Sequence, residues 1–270
     1  MKKIKLVTID VDETLLNSQH QIVPSTITAV KKAAEQGVKV VICSGRPPAG
    51  VAPFLEQLGL SGNDQYVITY NGGVIETISG NIVQKHVLPT SDFEKFSQFS
   101  NKYQVNFNVL DDHSQIYTTN HQINWFTVVQ ANENEAGLTV LDPTDLPVNF
   151  TLVKSLFTGP VELLDQIETP LKAQFGEGYY IVRSSPVFLE VLNAKASKGQ
   201  ATSDLAQYLD LQKDEIMAIG DERNDLSMFE VAGTSIAMGN AHAAVKEAAT
   251  FVTSDNDHDG IAEAFEKFVF

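Results

Sequence analysis

The chain has very little cysteine: Cys43 is the single one among its 270 residues. One cysteine excludes a disulfide within the chain, which agrees with a reducing compartment. Cys43 lies in the apolar segment VKVVICSG, where a small buried hydrophobic side chain is a better interpretation than a catalytic thiol. We therefore expect no disulfide framework.

Basic residues are also scarce. The chain has 19 Lys and Arg against 34 Asp and Glu, a net charge of -15. A surface this acidic is a poor partner for nucleic acid or for an anionic membrane. A phosphorylated small molecule is not excluded, because a bound metal or a few basic side chains can reverse the field locally.

Long apolar runs are absent from the sequence. No uncharged apolar segment approaches the ~18 residues of a membrane span, and the apolar part of MKKIKLVTID is too short for a signal peptide and ends in Asp. We expect a cytoplasmic protein with no membrane partner. A hydrophobic content of 43% predicts a globular fold of one large or two modest domains.

Strand-like and helix-like segments alternate at both ends of the chain. Residues 4–9 and the segment VKVVICSG are apolar almost throughout, and residues 24–36 between them have apolar side chains at helical spacing. After residue 196 the alternation returns, with DEIMAIGD and TSIAMGN as apolar strands. Such strands, separated by helices, are typical of a parallel sheet, so we predict an α/β fold with a Rossmann-like core.

The middle of the chain has a different pattern. From about His86, the segments VNFNVLDD and SQIYTTN alternate like antiparallel strands, next to the amphipathic segment DFEKFSQFSNKY. We predict that residues 1–84 and 192–270 form the core and that residues 85–191 form an inserted α+β domain, which has a size typical of a domain.

Acidic residues cluster where the first strand ends. In the segment LVTIDVDETLL, Asp10, Asp12 and Glu13 place three acids within four positions. Like charges at this spacing repel, and burying them costs free energy. A bound cation is the simplest compensation, so the segment predicts a cation site.

Polar residues also follow other predicted strands. Ser44, Gly45 and Arg46 come after VKVVIC, and residues 220–225, GDERND, follow a later strand. Ligands of open α/β sheets bind beyond the carboxyl ends of the strands. Lys198, at the start of a predicted helix, adds a positive charge. Together these segments would form a carboxylate cluster, a cradle of phosphate size and a lysine.

The order of these segments resembles the haloacid dehalogenase superfamily of phosphatases, and within it the Cof-type group. The superfamily motif DxDx[TV] is matched by Asp10, Asp12 and Thr14, its strand-end Ser by Ser44, its lysine by Lys198 and its acidic fourth motif by GDERND. SGR, YNGG, SSPVFLEV, SKG and GDERNDLSM also look like segments of the group. The resemblance covers essentially the whole chain and implies that the insert is a cap domain.

The resemblance implies roles for the acidic residues. Asp10 would be the nucleophile that becomes an aspartyl-phosphate, and Asp12 the general acid and then the general base. Asp10, the main-chain carbonyl of Asp12, and Asp221 would bind Mg²⁺, a cation that prefers a few hard oxygen ligands.

The resemblance also implies which residues surround the phosphoryl group. Its oxygens would be held by Val11, Ser44, Gly45, Lys198 and Asn224. Asp225 would orient Lys198 or a metal-bound water. Further candidates close to the site are Thr14, Arg46, Asn71 and Gly72.

Glu13 departs from the commonest pattern of the family, which has Gly after the second Asp. The superfamily motif tolerates variation here, so Glu13 does not imply loss of activity. Its side chain would alter cap closure, alter substrate choice, or point into solvent; we favour solvent.

The expected function is that of a Mg²⁺-dependent phosphatase acting on a small phosphorylated metabolite, such as a sugar phosphate or a phosphorylated cofactor. Two alternatives remain open at the level of sequence. One is a phosphotransferase or mutase with the same aspartyl-phosphate chemistry. The other is a non-catalytic protein that binds a phosphometabolite on the same fold.

Overall fold

The computed structural model describes residues 3–270. The strands are β1 (Leu6–Ile9), β2 (Lys39–Cys43), β3 (Tyr66–Thr69), β4 (Val74–Thr77), β5 (Ile82–Lys85), β6 (Asn106–Asp111), β7 (Ile116–Thr118), β8 (Leu138–Val140), β9 (Leu152–Thr158), β10 (Tyr179–Ser185), β11 (Phe188–Asn193), β12 (Ile216–Gly220), β13 (Thr234–Ala237) and β14 (Phe251–Val252). The helices are α1 (Pro24–Glu35), α2 (Pro48–Leu58), α3 (Asp92–Tyr103), α4 (Trp125–Glu133), α5 (Val161–Phe175), α6 (Lys198–Tyr208), α7 (Leu226–Val231), α8 (Ala243–Ala248) and α9 (Gly260–Phe268).

The chain divides into two compact units. The core unit contains the residues up to Gly45 together with Val51–Lys85 and Ser197–Phe270. The second unit contains Arg46–Gly50 and His86–Ala196. Both ends of the chain therefore contribute to the core unit.

The core unit is built on a sheet with the strand order β14-β13-β12-β1-β2-β3-β4-β5. From β14 to β3 neighbouring strands are parallel, whereas β4 and β5 are added as antiparallel strands. The strands β1, β2 and β12 are buried almost throughout, as expected for a parallel sheet with helices on both faces. This confirms the predicted α/β class.

Helix α1 shows why the segment between β1 and β2 folds onto the sheet. Ala29, Val30 and Ala33 are buried at helical spacing, while Lys31 and Lys32 are exposed. Such an apolar stripe packs on the sheet and leaves the charged face in water.

The chain also forms short, irregular helical turns. They lie at Val11–Leu15, Tyr70–Gly72, Pro143–Asp145, Lys213–Glu215 and Arg223–Asp225.

The second unit contains a sheet with the order β10-β11-β9-β6-β7-β8. Its neighbouring strands are antiparallel except for the β7–β8 pair. The core of this unit is rich in aromatic rings: the ring centroids of Phe99 and Phe157 lie 5.3 Å apart, and those of Phe96 and Phe175 lie 5.4 Å apart. Edge-to-face pairs of this kind stabilise a core beyond the area that they bury.

Helix α4 and strand β8 were not predicted from the sequence. In α4 the pattern is inverted, since Trp125 is 71% exposed while Gln130 is buried. The Gln130 side chain instead accepts a hydrogen bond from Asn108 Nδ2 at 2.7 Å. A helix with an apolar residue outside and an amide inside gives no amphipathic signal.

Across residues 3–270, no helix is long and apolar enough to span a lipid bilayer.

Candidate active site

Three neighbouring parallel strands end at the candidate site. The sheet order places β12, β1 and β2 side by side, and Asp221, Asp10 and Ser44 follow these strands directly. The Asp10 N–H donates to the carbonyl of Ile219 at 3.1 Å, which ties the start of the acidic segment to β12. Because carboxyl ends of parallel strands meet at one edge, residues distant in sequence lie together here.

One lysine joins two carboxylates in this cluster. The Lys198 ammonium donates to Asp10 Oδ1 and, at 2.6 Å, to Asp225 Oδ1. Lys198 is only 1% exposed, so its charge needs these partners. Although burial alone would lower it, the carboxylates of Asp10 and Asp225 hold the pKa of Lys198 well above its usual value. The lysine therefore remains an ammonium ion.

Asp225 is fully buried, and both of its oxygens are hydrogen-bonded. Its Oδ2 accepts from the main-chain N–H of Asp221 at 2.9 Å and of Glu222 at 3.1 Å. A Cβ atom on Gly220 would lie 2.4 Å from Asp225 Oδ2, so only glycine allows this approach. With its oxygens already engaged, Asp225 is suited to orient Lys198 rather than to bind a ligand.

Asp221 is a buried carboxylate without a basic partner. Its Oδ1 accepts a 2.6 Å hydrogen bond from the Thr14 hydroxyl, and within residues 3–270 no Lys, Arg or His forms an ion pair with it. Burial raises the pKa of Asp221 to about 9, with further contributions from the negative charges of Asp10 and Asp225. Burial also raises the pKa of Asp10 to about 7, although Lys198 opposes the change.

This donor set fits a hard divalent cation. Carboxylate oxygens of Asp10, Asp221 and Asp225 lie within 4.8 Å of one another. One lysine pairs with two of these three acids, so a further positive charge would relieve their repulsion. Since Asp225 is already engaged by its hydrogen bonds, Asp10 and Asp221 are the side chains suited to bind Mg²⁺, which prefers oxygen ligands.

The residues predicted to surround the phosphoryl group lie beside this cluster in the core unit. Ser44 is buried, and its carbonyl accepts from the N–H of Asn71 at 2.8 Å. Asn71 Oδ1 in turn accepts from Asn224 Nδ2 at 3.1 Å. The Oδ1 atom of Asn224 is buried and accepts no hydrogen bond from the described part of the chain. An unsatisfied acceptor at this position fits a water molecule or a donor group of a ligand.

Gly72 brings the start of helix α6 to the site. It has a φ of +95°, and a Cβ atom there would lie 2.2 Å from the carbonyl oxygen of Ser197. The Ser197 side chain caps the helix by accepting from the Gln200 N–H at 3.0 Å. Lys198 is therefore fixed at the first turn of α6, next to the loop that contains Asn71.

Ser227 was not predicted from the sequence. Its hydroxyl accepts from the N–H of Gly199 at 3.0 Å and donates to the carbonyl of Asn224 at 3.0 Å. It thus links the first turn of α6 to the loop that contains Asn224. The segment GDERNDLSM, which contains this Ser, resembles one of the family, but the residue types alone assign its Ser no role.

The remaining predicted residues differ in their placement, and Arg46 is not part of the core unit. Val11 is buried directly after Asp10, and Asp12 next to it is exposed. A Cβ atom on Gly45 would lie 3.1 Å from Asn71 Nδ2, so Gly45 borders the same loop. Arg46 belongs instead to the second unit, where it donates to the carbonyl of Glu133 at 2.7 Å.

Comparison with known proteins is consistent with this arrangement. A family model described as haloacid dehalogenase-like hydrolase matches residues 7–265. The chain belongs to this family. Among solved structures, a haloacid dehalogenase-like hydrolase from Bacteroides thetaiotaomicron has 31% identity and a TM-score of 0.86, over 98% of this chain and 99% of that chain.

Two relatives from Bacillus subtilis (strain 168) are similar over nearly their full lengths. YxeH, whose name marks its phosphatase assignment as provisional, is 36% identical over 98% of both chains. YcsE, named 5-amino-6-(5-phospho-D-ribitylamino)uracil phosphatase, is 30% identical over 98% of this chain and 96% of its own. This haloacid dehalogenase-like hydrolase is therefore an enzyme, and both of these relatives are named as phosphatases.

Replacing Lys198 with Met tests the charge balance of the cluster. Lys198→Met keeps a similar volume but leaves Asp10 and Asp225 without their basic partner, so we expect the free energy of unfolding to fall by about 3 kcal/mol. Urea unfolding at neutral pH measures the change. Lys31→Met, at an exposed position, is the control and should change stability by less than about 0.5 kcal/mol. Equal stabilities of the two variants would show that Asp10 and Asp225 do not need the charge of Lys198.

Metal binding should depend on pH. Because the pKa of Asp221 is about 9 in the metal-free fold and about 3.9 in an unfolded chain, only the folded state keeps this proton at neutral pH. Stability in chelator should fall as the pH rises from about 4 through about 9. Mg²⁺ needs the deprotonated carboxylate, so it should raise the melting temperature more at about pH 8 than at about pH 6.

Two variants show whether Asp221 causes this behaviour. Asp221→Asn should flatten the dependence on pH in chelator and remove most of the stabilisation by Mg²⁺. Asp210→Asn, at an exposed position of the same unit, should behave like the unmodified chain. A Mg²⁺ effect that survives in Asp221→Asn would exclude Asp221 as a ligand.

Proposed function

We propose that the protein is a Mg²⁺-dependent phosphatase that hydrolyses small phosphorylated metabolites through an aspartyl-phosphate on Asp10. The observation that carries this proposal is that Asp10 contacts Lys198 and lies within 4.8 Å of a carboxylate oxygen of Asp221 at the carboxyl edge of the parallel sheet. Asp10 has a lysine partner and Asp221 has none among residues 3–270, which suits a site that receives a cation and a phosphoryl group together.

In the first step Asp10 attacks the phosphorus atom. Lys198 engages Asp10 Oδ1, and no group within residues 3–270 engages Oδ2, which is the oxygen available to form the new P–O bond. The bond from phosphorus to the leaving oxygen breaks as this bond forms. Asp12, in its acid form, donates a proton to the leaving oxygen.

In the second step water releases the phosphate. Asp12, now a carboxylate, takes a proton from a water molecule whose oxygen attacks phosphorus. The P–O bond to Asp10 breaks, and the Asp10 carboxylate is restored. The exposed position of Asp12 suits a residue that meets first the leaving group and then solvent water.

The residues suited to bind Mg²⁺ are Asp10, Asp221 and the main-chain carbonyl of Asp12. Bound there, the cation would offset the negative charge of the carboxylates and of the phosphoryl group. Lys198 would hold phosphoryl oxygens together with Val11, Ser44, Gly45 and Asn224. Fixed donors of this kind stabilise the charge that develops during phosphoryl transfer.

For the second unit, we propose that it selects the leaving group, as a cap domain would. The relative YcsE is named for a phosphorylated ribitylamino-uracil. That name supports small phosphomonoesters, including sugar phosphates and phosphorylated cofactors, as the substrates to test here.

Hydrolysis of p-nitrophenyl phosphate tests the mechanism. With Mg²⁺ the protein should release p-nitrophenol, and excess chelator should stop the release. Asp10→Asn should lower the rate at least about a thousandfold, because the variant lacks the nucleophile. Mass spectrometry after an acid quench should find a phosphoryl group on the peptide that contains Asp10.

The control for this experiment is Asp210→Asn, which should keep the rate within about twofold. The same assay with a panel of phosphomonoesters finds the preferred substrates. Transfer of the phosphoryl group to an added sugar phosphate, rather than to water, would identify a mutase. If the folded, Mg²⁺-loaded protein hydrolysed none of the phosphomonoesters in the panel, the proposed function would be overturned.

A further inference from the structure

The backbone between Asp12 and Thr14 has an unfavourable conformation. Glu13 has φ and ψ of 61° and 5°, in the left-handed region that side chains other than glycine rarely adopt. Glycine would take this conformation without strain. The side chain of Glu13 is exposed, so burial of an apolar group does not compensate for the strain. Other contacts must hold the backbone at Glu13 in place.

Two asparagines provide those contacts, and we name Asn240 and Asn256 the asparagine clamp. Asn240 Nδ2 donates to the main-chain carbonyl of Glu13 at 2.7 Å. Asn256 Nδ2 donates to the carbonyl of Leu16 at 2.9 Å. The Asn256 N–H donates to Asn240 Oδ1 at 3.2 Å, so the two residues act together.

The clamp arises from two loops distant in sequence. Asn240 follows β13, and Asn256 lies between β14 and α9. Asn256 is 7% exposed, so its amide N–H groups depend on protein partners. A contact at 3.4 Å between Asn256 Nδ2 and Glu13 Oε2 adds a weaker link to the same turn.

The clamped turn carries groups that the proposed mechanism needs. Asp12 and Thr14 lie on either side of Glu13, and the Thr14 hydroxyl contacts Asp221 at 2.6 Å. If the backbone of Glu13 changed from the left-handed conformation to another, the chain direction between Asp12 and Thr14 would change. The position of Asp12 for proton transfer therefore depends on the conformation of Glu13.

The hydrogen bonds of the clamp side chains, within residues 3–270, go to Glu13, to Leu16 and to each other. They do not reach the carboxylates of the cluster or Lys198. Asn240 and Asn256 are thus positioning residues, which act through the turn rather than on the substrate.

We propose that the asparagine clamp holds Glu13 in the left-handed conformation and thereby sets Asp12 in place for proton transfer. This inference rests on the proposed function in its use of Asp12. It predicts an effect on kcat rather than on KM. Of the residues proposed to hold the phosphate, Val11 lies in the turn and the others lie outside it. It also predicts that glycine at position 13 makes the clamp less necessary.

A double-mutant cycle tests the inference. Asn240→Ala should lower kcat about tenfold, a barrier increase of about 1.4 kcal/mol, and leave KM within about twofold. In the Glu13→Gly background the same change should lower kcat by only about threefold, because glycine needs no support at this φ. Asn256→Ala should show the same coupling.

Asn63→Ala is the matched control. Asn63 is an exposed asparagine of the core unit that accepts a 2.7 Å hydrogen bond from Asn81 Nδ2, and its loss should leave kcat unchanged in both backgrounds. Equal losses of kcat from Asn240→Ala with Glu13 and with glycine would overturn the inference. An unchanged kcat in Asn240→Ala would also overturn it. Asn240 is exposed, so this variant should fold.

Thermal unfolding separates this inference from the proposed function. Without substrate, Asn240→Ala should lower the melting temperature more with Glu13 than with glycine at position 13. A chain that shows this coupling but hydrolyses no phosphomonoester would exclude the proposed function and the role of Asp12, while the clamp would stand as a support of the turn. A chain that is an active phosphatase without any coupling would exclude the clamp alone.

Discussion

The structure of the core unit depends on the burial of three carboxylates beside one lysine. Water would stabilise each carboxylate far better than an apolar interior, so the fold must supply other partners. Lys198 supplies a charge to Asp10 and Asp225, and main-chain N–H groups satisfy the second oxygen of Asp225. In the described part of the chain, the Asp221 side chain accepts one hydrogen bond, from the Thr14 hydroxyl, and its burial among negative charges raises the pKa of Asp221.

The architecture of the sheet follows from the need to bring these groups together. Parallel strands put their carboxyl ends at one edge, where Asp10 and Asp221, the residues that follow β1 and β12, meet. The lysine comes from a helix whose start is held by close backbone contacts at Gly72. The ends of β1 and β12 and the start of α6 therefore place Asp10, Asp221 and Lys198, and the short turn Arg223–Asp225 adds Asp225. Such preorganisation lets fixed groups stabilise charge without rearrangement during a reaction.

The turn after β1 shows a second constraint, which is local strain. A charged residue occupies a left-handed position between two residues of the site, and two asparagines from remote loops hold it there. Strained backbone persists only when its surroundings determine it more than once. The charge cluster and the clamped turn together explain why residues from both ends of the chain are needed to build one site.

The α/β class, the parallel core and the order of the acidic, serine and lysine segments could be predicted from the sequence, because apolar strands and helical spacing are local patterns. The sequence also marked Asp10, Lys198 and Asp221 as members of one site. Tertiary structure was needed to show that both Asp10 and Asp225 pair with Lys198, that Ser227 links α6 to the Asn224 loop, and that α4 exposes Trp125. These features depend on contacts between residues remote in sequence, and no local pattern of residue types encodes the distance between two such side chains.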